Sequence, residues 1–429
     1  MISFLYNIAW KCALPFLIKK QRLSIGVEER LGKDLPPPCD IWIHGASAGE
    51  VTLIAECIRR ISYTQPRDIL ITTWTKEGKN IGEQLQQWVL SHAPMITIHV
   101  YYFPFDTRNI IARFLNAVRP SLVMIAETEI WYTLFTECKK RAIPLCIINA
   151  RLSQKTYQYT SILRRLFAHC NPDTIIAISE EDKTRFASLF PHSSLTTMHN
   201  IKFQSLTVED RVSTDTKPHI VFASIRNKEY PLIAQTILLL QEKINTLKTN
   251  ITNTYQNDIY SLDDIRFYII PRHLHHINEL IEVLETEHIS YTVCTTLDEA
   301  RKAKTQTIII NIFGVSKIIY ANAQTIFIGG SLLPEYGGHN FLEPLTYGTV
   351  PIVGPYRETF AWAEEGLIEQ ELLYPLQKSN PDTLANALWQ QYIHQVDKSN
   401  IQKKFSTWVQ DKQDGSQAVE NLLKKYNLL

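Results

Sequence analysis

Short apolar, β-branched runs alternate along this chain with stretches whose apolar residues recur every three or four positions. In the first half, residues 41–44 (IWIH), 69–73 (ILITT), 96–102 (ITIHVYY), 122–126 (LVMIA), 145–149 (LCIIN) and 174–178 (TIIAI) read as buried strands. Between the first two, Leu53, Ile54, Cys57, Ile58 and Ile61 fall on one helical face of residues 51–62. Strand, helix, strand repeated in this way predicts a parallel sheet with helices on both faces. Residues 202–219 are polar and turn-rich and read as a linker. The pattern restarts with strands expected at 220–223, 267–271, 307–310, 325–329 and 350–353. The expectation is therefore α/β: two doubly wound units facing across a cleft lined by the C-terminal ends of their strands. Residues 250–264, rich in Asn, Thr and Asp, are expected to form an exposed insertion loop in the second unit.

Length agrees with that division, since 429 residues exceed what one core usually organises. A formal charge of +1 supplies no overall field for nucleic acid. Seven cysteines stand at positions 12, 39, 57, 138, 146, 170 and 294 with no C-x-x-C pair and no Cys/His cluster. That pattern suits free thiols in a reducing compartment and points to no metal site. The first eighteen residues, MISFLYNIAWKCALPFLI, are the exception to an ordinary balance. They are almost wholly apolar and are followed by Lys19, Lys20 and Arg22. A membrane anchor over residues 1–22 is the favoured expectation, with Trp10 at the lipid interface and the remainder on the cytoplasmic face. The competing expectation is a helix docked on the protein itself, because Lys11 and Pro15 weaken a straight span.

The densest chemistry lies in residues 329–344, GGSLLPEYGGHNFLEP, after a predicted strand and before an apolar helical run at 341–347. Four glycines there are expected to bring backbone amides close to an anion, with a helix dipole behind them. Glu343 is placed to cap that helix or to accept from a ribose. Pro271, Arg272 and His273 close another strand, where an Arg can grip a phosphate in two-pronged geometry. Phe313, Gly314 and Val315 form a flexible turn after a third. In the first half, HGASAGE (44–50) links a strand to a helix and puts Glu50 at the helix start. A carboxylate there is a cap or, once positioned, a general base. Glu127 and Glu129 follow the strand at 122–126, and Asn149 to Ser153 (NARLS) follow the next. Lys202 offers a positive charge where the first unit ends.

Taken in order, these segments resemble the transferases of 3-deoxy-D-manno-octulosonic acid (Kdo) that act on lipid A precursors. The matching pieces are HGASAGE, TTWTKEG (72–78), FPFD (103–106), AETEIW (126–131), NARLS, NIKF (200–203), PRH (271–273), the glycine-rich stretch and GP (354–355), collinear from about residue 40 to 360. The resemblance implies a GT-B fold, CMP-Kdo as donor co-substrate, a lipid A precursor as acceptor, and inversion at the anomeric carbon at the inner membrane without metal or other cofactor. It implies Glu50 as general base, with Glu127 and Lys202 stabilising the transition state. CMP falls to Pro271, Arg272, Phe313, Gly314, Val315, Asn340, Phe341, Leu342 and Glu343, and the basic residues Lys19, Lys20, Arg22 and Arg30 lie beside the acceptor side. The implied domains are 1–22 (anchor), 40–203 (acceptor) and 219–429 (donor), the last helix being free to pack back on the first domain. Two departures stand out: Ile225 to Glu229 (IRNKE) replaces a Thr/His-Glu-Gly-Glu run, and Trp131-Tyr132 replaces Trp-Pro. The alternatives are another GT-B enzyme using a UDP-sugar, and a silent membrane-surface binding protein of the same fold. The number of Kdo units added is not legible in any one residue.

Overall fold

The computed structural model describes residues 2–162, 164–167, 170–208, 219–251, 262–364, 366–394 and 397–429. Two compact units emerge: Met1–Ser205 together with Asp411–Leu429, and Leu206–Gln410.

The first unit is built on a parallel seven-stranded sheet. Its strands are β1 (Ile41–His44), β2 (Arg67–Thr73), β3 (Ile96–Tyr102), β4 (Leu122–Ala126), β5 (Leu145–Ala150), β6 (Thr174–Ala177) and β7 (Ser194–Thr197). They lie in the order β3-β2-β1-β4-β5-β6-β7. The apolar runs that predict the central strands are buried on both sides, as parallel strands covered by helices must be. β1 pairs with β2 on one side and β4 on the other, so chain direction reverses between β1 and β4. Connections leaving these two strands diverge and open a crevice at their C-terminal ends, the topological switch point. β7 (SLTT) is polar and largely exposed at the sheet edge, so no hydrophobic pattern announces it. The helix Gly415–Lys425 closes the unit by burying Val419, Leu422 and Leu423.

The N-terminal helix, Ile2–Leu17, is 16 residues long with Pro15 inside it. No helix among the described residues is long and apolar enough to cross a membrane. Trp10, expected at a lipid interface, instead packs against Phe105 with ring centroids 6.0 Å apart. Tyr6 packs against Tyr132 at 5.2 Å and donates its hydroxyl to Asp106 Oδ2 at 2.7 Å. Asn7 Oδ1 accepts from the Arg108 amide at 3.0 Å. This face is docked on the protein, while Ile8 and Phe16 stay exposed. Arg30, expected among the surface cations, is fully buried between the rings of Trp74 and Tyr102 and donates to the carbonyls of Ile25 and Trp74.

The second unit is another parallel seven-stranded sheet: β8 (His219–Ile225), β9 (Arg266–Pro271), β10 (Tyr291–Cys294), β11 (Thr307–Ile310), β12 (Ala323–Ile328), β13 (Pro351–Val353) and β14 (Tyr374–Pro375). The order β10-β11-β9-β8-β12-β13-β14 puts its switch point between β8 and β12. Two segments differ from expectation. The stretch read as a linker begins inside the 3-10 turn Ile201–Ser205 and ends inside β8, and 209–218 lie outside the described residues. Of the expected insertion loop, 250–251 finish the helix Tyr230–Ile251 and Leu262–Asp264 form a 3-10 turn, while 252–261 lie outside the described residues.

Candidate active site

In the first unit the switch point gathers the acids. Ser47 caps the helix Ala48–Arg60: its hydroxyl accepts from the Glu50 amide at 3.3 Å, and Glu50 Oε2 accepts from the Ser47 amide at 3.1 Å. This reciprocal box fixes the Glu50 side chain at the mouth of the crevice. Gly45 permits the tight strand-to-helix turn, since a Cβ there would lie 2.8 Å from Ile54 and 3.1 Å from the backbone of Glu50 and Val51. The Glu50 carboxyl is pushed up to about 7, first by burial and then by the negative charges of Glu127 and Glu129, despite the opposing amide bonds. A carboxyl poised near neutrality suits proton acceptance at cellular pH.

Glu127 leaves the end of β4 with φ 64°, a left-handed conformation that a non-glycine residue adopts at some cost. Its amide still donates to the carbonyl of Ile148 on β5, which holds the bend. Lys202 Nζ donates to Glu127 Oε1 at 3.2 Å across 75 positions of sequence. The turn carrying Lys202 is anchored by the amide of Ile201 donating to Asn149 Oδ1 at 3.0 Å; Asn149 is buried at the end of β5 and also has positive φ, 50°. From the other side, Gln413 Nε2 donates to the Phe203 carbonyl at 3.1 Å, and Gly415 lies against Ile201 so closely that a Cβ would sit 3.2 Å from its Cα. NARLS and NIKF are thus one structural device that presents a lysine to a glutamate.

Glu129 and its surroundings are only partly foreseen. Its Oε2 accepts from His44 Nε2 and from Trp131 Nε1, each at 2.8 Å. His44 is wholly buried at the end of β1, with Nδ1 at 2.9 Å from the Thr72 carbonyl. Trp131 packs on Trp74 (5.4 Å between ring centroids) and on Phe103 (5.1 Å), and Phe103 packs on His44 (4.0 Å). The motifs HGASAGE, TTWTKEG, FPFD and AETEIW therefore meet in one aromatic wall that fixes Glu129 beside Glu50. Asp106 braces the same segment: Oδ2 accepts from Thr133 and Oδ1 from Leu134, both amides at 2.9 Å at the start of the helix Tyr132–Lys140. A histidine closing a strand and a tryptophan after paired acids are the sequence signals for His44 and Trp131.

In the second unit the crevice between β8 and β12 is cationic. Pro271 ends β9 and is buried, while Arg272 follows it exposed. Phe313 is 92% exposed and Gly314 has φ 79° with open space where a side chain would be. Val315 precedes the helix Ser316–Asn322. Asn340 Oδ1 accepts from the Leu342 amide at 3.1 Å. Phe341 and Leu342 are both buried. The helical run expected at 341–347 is a 3-10 turn, Glu343–Tyr347, headed by the half-buried Glu343. Glu229 is the buried organiser of this edge: Oε2 accepts from the amides of Arg226 (2.9 Å) and Gly330 (2.7 Å), and Oε1 from that of Leu332 (3.0 Å). Gly329 accommodates it, because a Cβ there would lie 2.9 Å from Glu229 Oε2.

Residues 21–205 match the model of the family described as 3-Deoxy-D-manno-octulosonic-acid transferase (kdotransferase). The 3-deoxy-D-manno-octulosonic acid transferase of Haemophilus influenzae is 28% identical over 388 residues, covering 86% of this chain and 84% of that protein. A bifunctional glycosyltransferase/methyltransferase of Fusobacterium nucleatum is 26% identical over 365 residues, 82% of this chain, which spans about half (54%) of that longer protein. Among solved structures, a glycosyltransferase from Rickettsia africae aligns with a TM-score of 0.56 at 11% identity, over 91% of this chain and 98% of that one, a likeness of fold. The fold is GT-B and the chain is a glycosyltransferase. Over residues 21–205 by the family model, and over most of its length by the relatives, the chain resembles the 3-deoxy-D-manno-octulosonic acid transferases.

Proposed function

We propose that this chain transfers Kdo from CMP-Kdo to a lipid A precursor in lipopolysaccharide synthesis, with inversion at the anomeric carbon. The observation that carries the reading is the first-unit constellation: Glu50 poised near neutrality beside Glu127, which is itself paired to Lys202 at 3.2 Å. In the reaction the acceptor hydroxyl oxygen bonds to the anomeric carbon as its proton passes to Glu50. The bond from that carbon to the phosphate oxygen breaks on the opposite face, and CMP departs with the electron pair. Positive charge gathers on the sugar ring in the transition state, where Glu127 supplies a fixed negative charge. Lys202, in contact with Glu127, holds that carboxylate in place while Glu50 receives the proton. Both groups are preorganised by the strand ends and turn described above, so little reorientation is required at the moment of reaction.

The docked N-terminal helix, with Ile8 and Phe16 exposed on its outer side, supports peripheral association with the inner-membrane surface that holds such an acceptor. The test is incubation of the full chain with a lipid A precursor and CMP-Kdo, with product mass read by mass spectrometry. A mass gain of one or more Kdo residues is expected, and its size gives the number added. Turnover with UDP-sugars alone would overturn the assignment of the donor.

A further inference from the structure

The glycine-rich stretch is expected from its sequence to hold an anion on its own amides and on a helix N-terminus. In the structure three of the four glycine amides, and that of Leu332, are already committed. Gly329 donates to the carbonyl of Ala223 at 2.8 Å, Gly330 and Leu332 donate to Glu229, and Gly338 donates to the carbonyl of Gly330 at 2.6 Å. The 3-10 turn that follows, Glu343–Tyr347, is too short to carry a useful dipole. What the glycines supply is shape: Gly330 has φ 70°, and a Cβ on it would lie 2.6 Å from the His339 ring. Attraction for an anion at this edge has to come from side chains.

Those side chains converge from three connections. Arg226 leaves β8 with its guanidinium 4.5 Å from the centre of the Tyr336 ring, and its Nη1 donates to His273 Nε2 at 2.7 Å. Its Nε is buried and has no hydrogen-bond partner, and the same holds for Nε2 of His339. Arg272 lies close enough that its charge, with that of Arg226, adds to burial in holding His339 down at about 4 and in lowering His273 as well. Several carboxylates of the edge are committed elsewhere: Glu229 to three amides, Glu335 to Lys228 at 2.7 Å, and Glu279 to His276 and Asn227. The result is a cationic seat with two buried nitrogens, Arg226 Nε and His339 Nε2, left without a partner beside the loop.

We propose that Arg226 and His339, together with Arg272, seat the phosphoryl group of the nucleotide donor, and that the glycine-rich loop shapes this seat without binding the anion through the amides of Gly329, Gly330 and Gly338. The inference rests on the nucleotide-donor reading above. Arg226 also takes the place of part of the Thr/His-Glu-Gly-Glu run that is missing here, so it supplies on this chain a contact that the sequence departure left open. Arginine on phosphate gives charge-assisted, two-pronged bonds, and a histidine beside it adds a directional donor or takes up a proton as the anion arrives.

Titration calorimetry of the full chain with CMP and, separately, with cytidine tests this. Arg226→Ala and His339→Ala should each weaken CMP roughly tenfold to a hundredfold while leaving cytidine within about twofold. Arg226→Lys should recover part of the loss, with thermal unfolding unchanged in all three. Unaltered CMP affinity in both alanine variants overturns the seat while leaving the nucleotide reading intact. Equal losses for CMP and cytidine also overturn it, as the mark of a purely structural role. A wild-type chain that binds CMP no better than cytidine overturns the nucleotide reading itself.

Discussion

The two units solve the same topological problem with opposite charge. Each opens a crevice where a parallel sheet reverses direction, between β1 and β4 in one and between β8 and β12 in the other. The first crevice collects Glu50, Glu127 and Glu129 around one lysine. The second collects Arg226, Arg272, His273 and His339, with its own buried glutamate spent on backbone amides. A switch point supplies an opening and no chemistry. What enters it is decided by the few residues just past the strand ends. In both units a non-glycine residue at such a strand end takes positive φ: Glu127 at 64°, just past β4, and Ser224 at 57°, the penultimate residue of β8. Backbone strain therefore sits where the side chains are aimed, as happens when position matters more than local comfort.

The comparison breaks most readily at Glu50. Glu50→Gln keeps the capping geometry and removes the proton acceptor, so transfer should fall by ~10²–10⁴-fold with CMP affinity unchanged. Wild-type turnover in that variant ends the base assignment. The same change tests linkage: burial and the neighbouring acids raise the folded-state pKa to about 7, so Glu50 favours folding at low pH and that contribution is lost as pH rises through 7. Glu50→Gln should accordingly raise the melting temperature more at pH 8 than at pH 5.

A loss of ~10²-fold is expected for Glu127→Gln, and it carries a directional signature in the pH profile. In the wild type kcat/KM should fall below about pH 7, where Glu50 takes up a proton. Removing the Glu127 charge lets Glu50 ionise at lower pH, and the acid limb moves down with it. An immobile limb would separate the two carboxylates. In the second unit the matching change is Glu229→Ala, which strands three buried amides and should cost ~2–4 kcal/mol in denaturant unfolding. Glu335→Ala on the same edge removes an exposed pair and should leave stability unmoved. Gly330→Ala is smaller, ~1–3 kcal/mol, through positive φ and contact with His339. Smallest is Tyr6→Phe, which loses one hydrogen bond to Asp106, worth ~1 kcal/mol in the same measurement.

Much of this was legible in the sequence because buried parallel strands write themselves as unbroken apolar runs. Residues 41–44, 96–102, 122–126 and 307–310 are expected and found with the same bounds. The strands that escaped, β7, β10 and β14, all lie at sheet edges. An edge strand has one neighbour and partial cover, so its hydrophobic signature is weaker; β3, the fourth edge strand, is legible because it is seven residues long and alternates. Glu50, Glu127 and Lys202 were legible as residue types at strand ends, and the structure brings Glu127 and Lys202 into contact. The commitment of the glycine amides was not legible, because it depends on Glu229, a hundred positions away, folding under the loop. Nor was the burial of Arg30, whose charge in sequence looks like any surface cation and is accommodated by the rings of Trp74 and Tyr102 and the carbonyls of Ile25 and Trp74.

The path of the chain through the first unit has a consequence for its birth on the ribosome. That unit is left at Ser205 and completed only by Asp411–Leu429, so the whole second unit is an insertion in time as well as in sequence. The turn bearing Lys202 is braced by Gln413 and Gly415, which emerge only after the second unit. A nascent chain arrested after the second unit has the three acids of the first crevice but lacks the brace on the turn that brings Lys202 to Glu127. The contact between Lys202 and Glu127 is thus braced only after the whole second unit has been made.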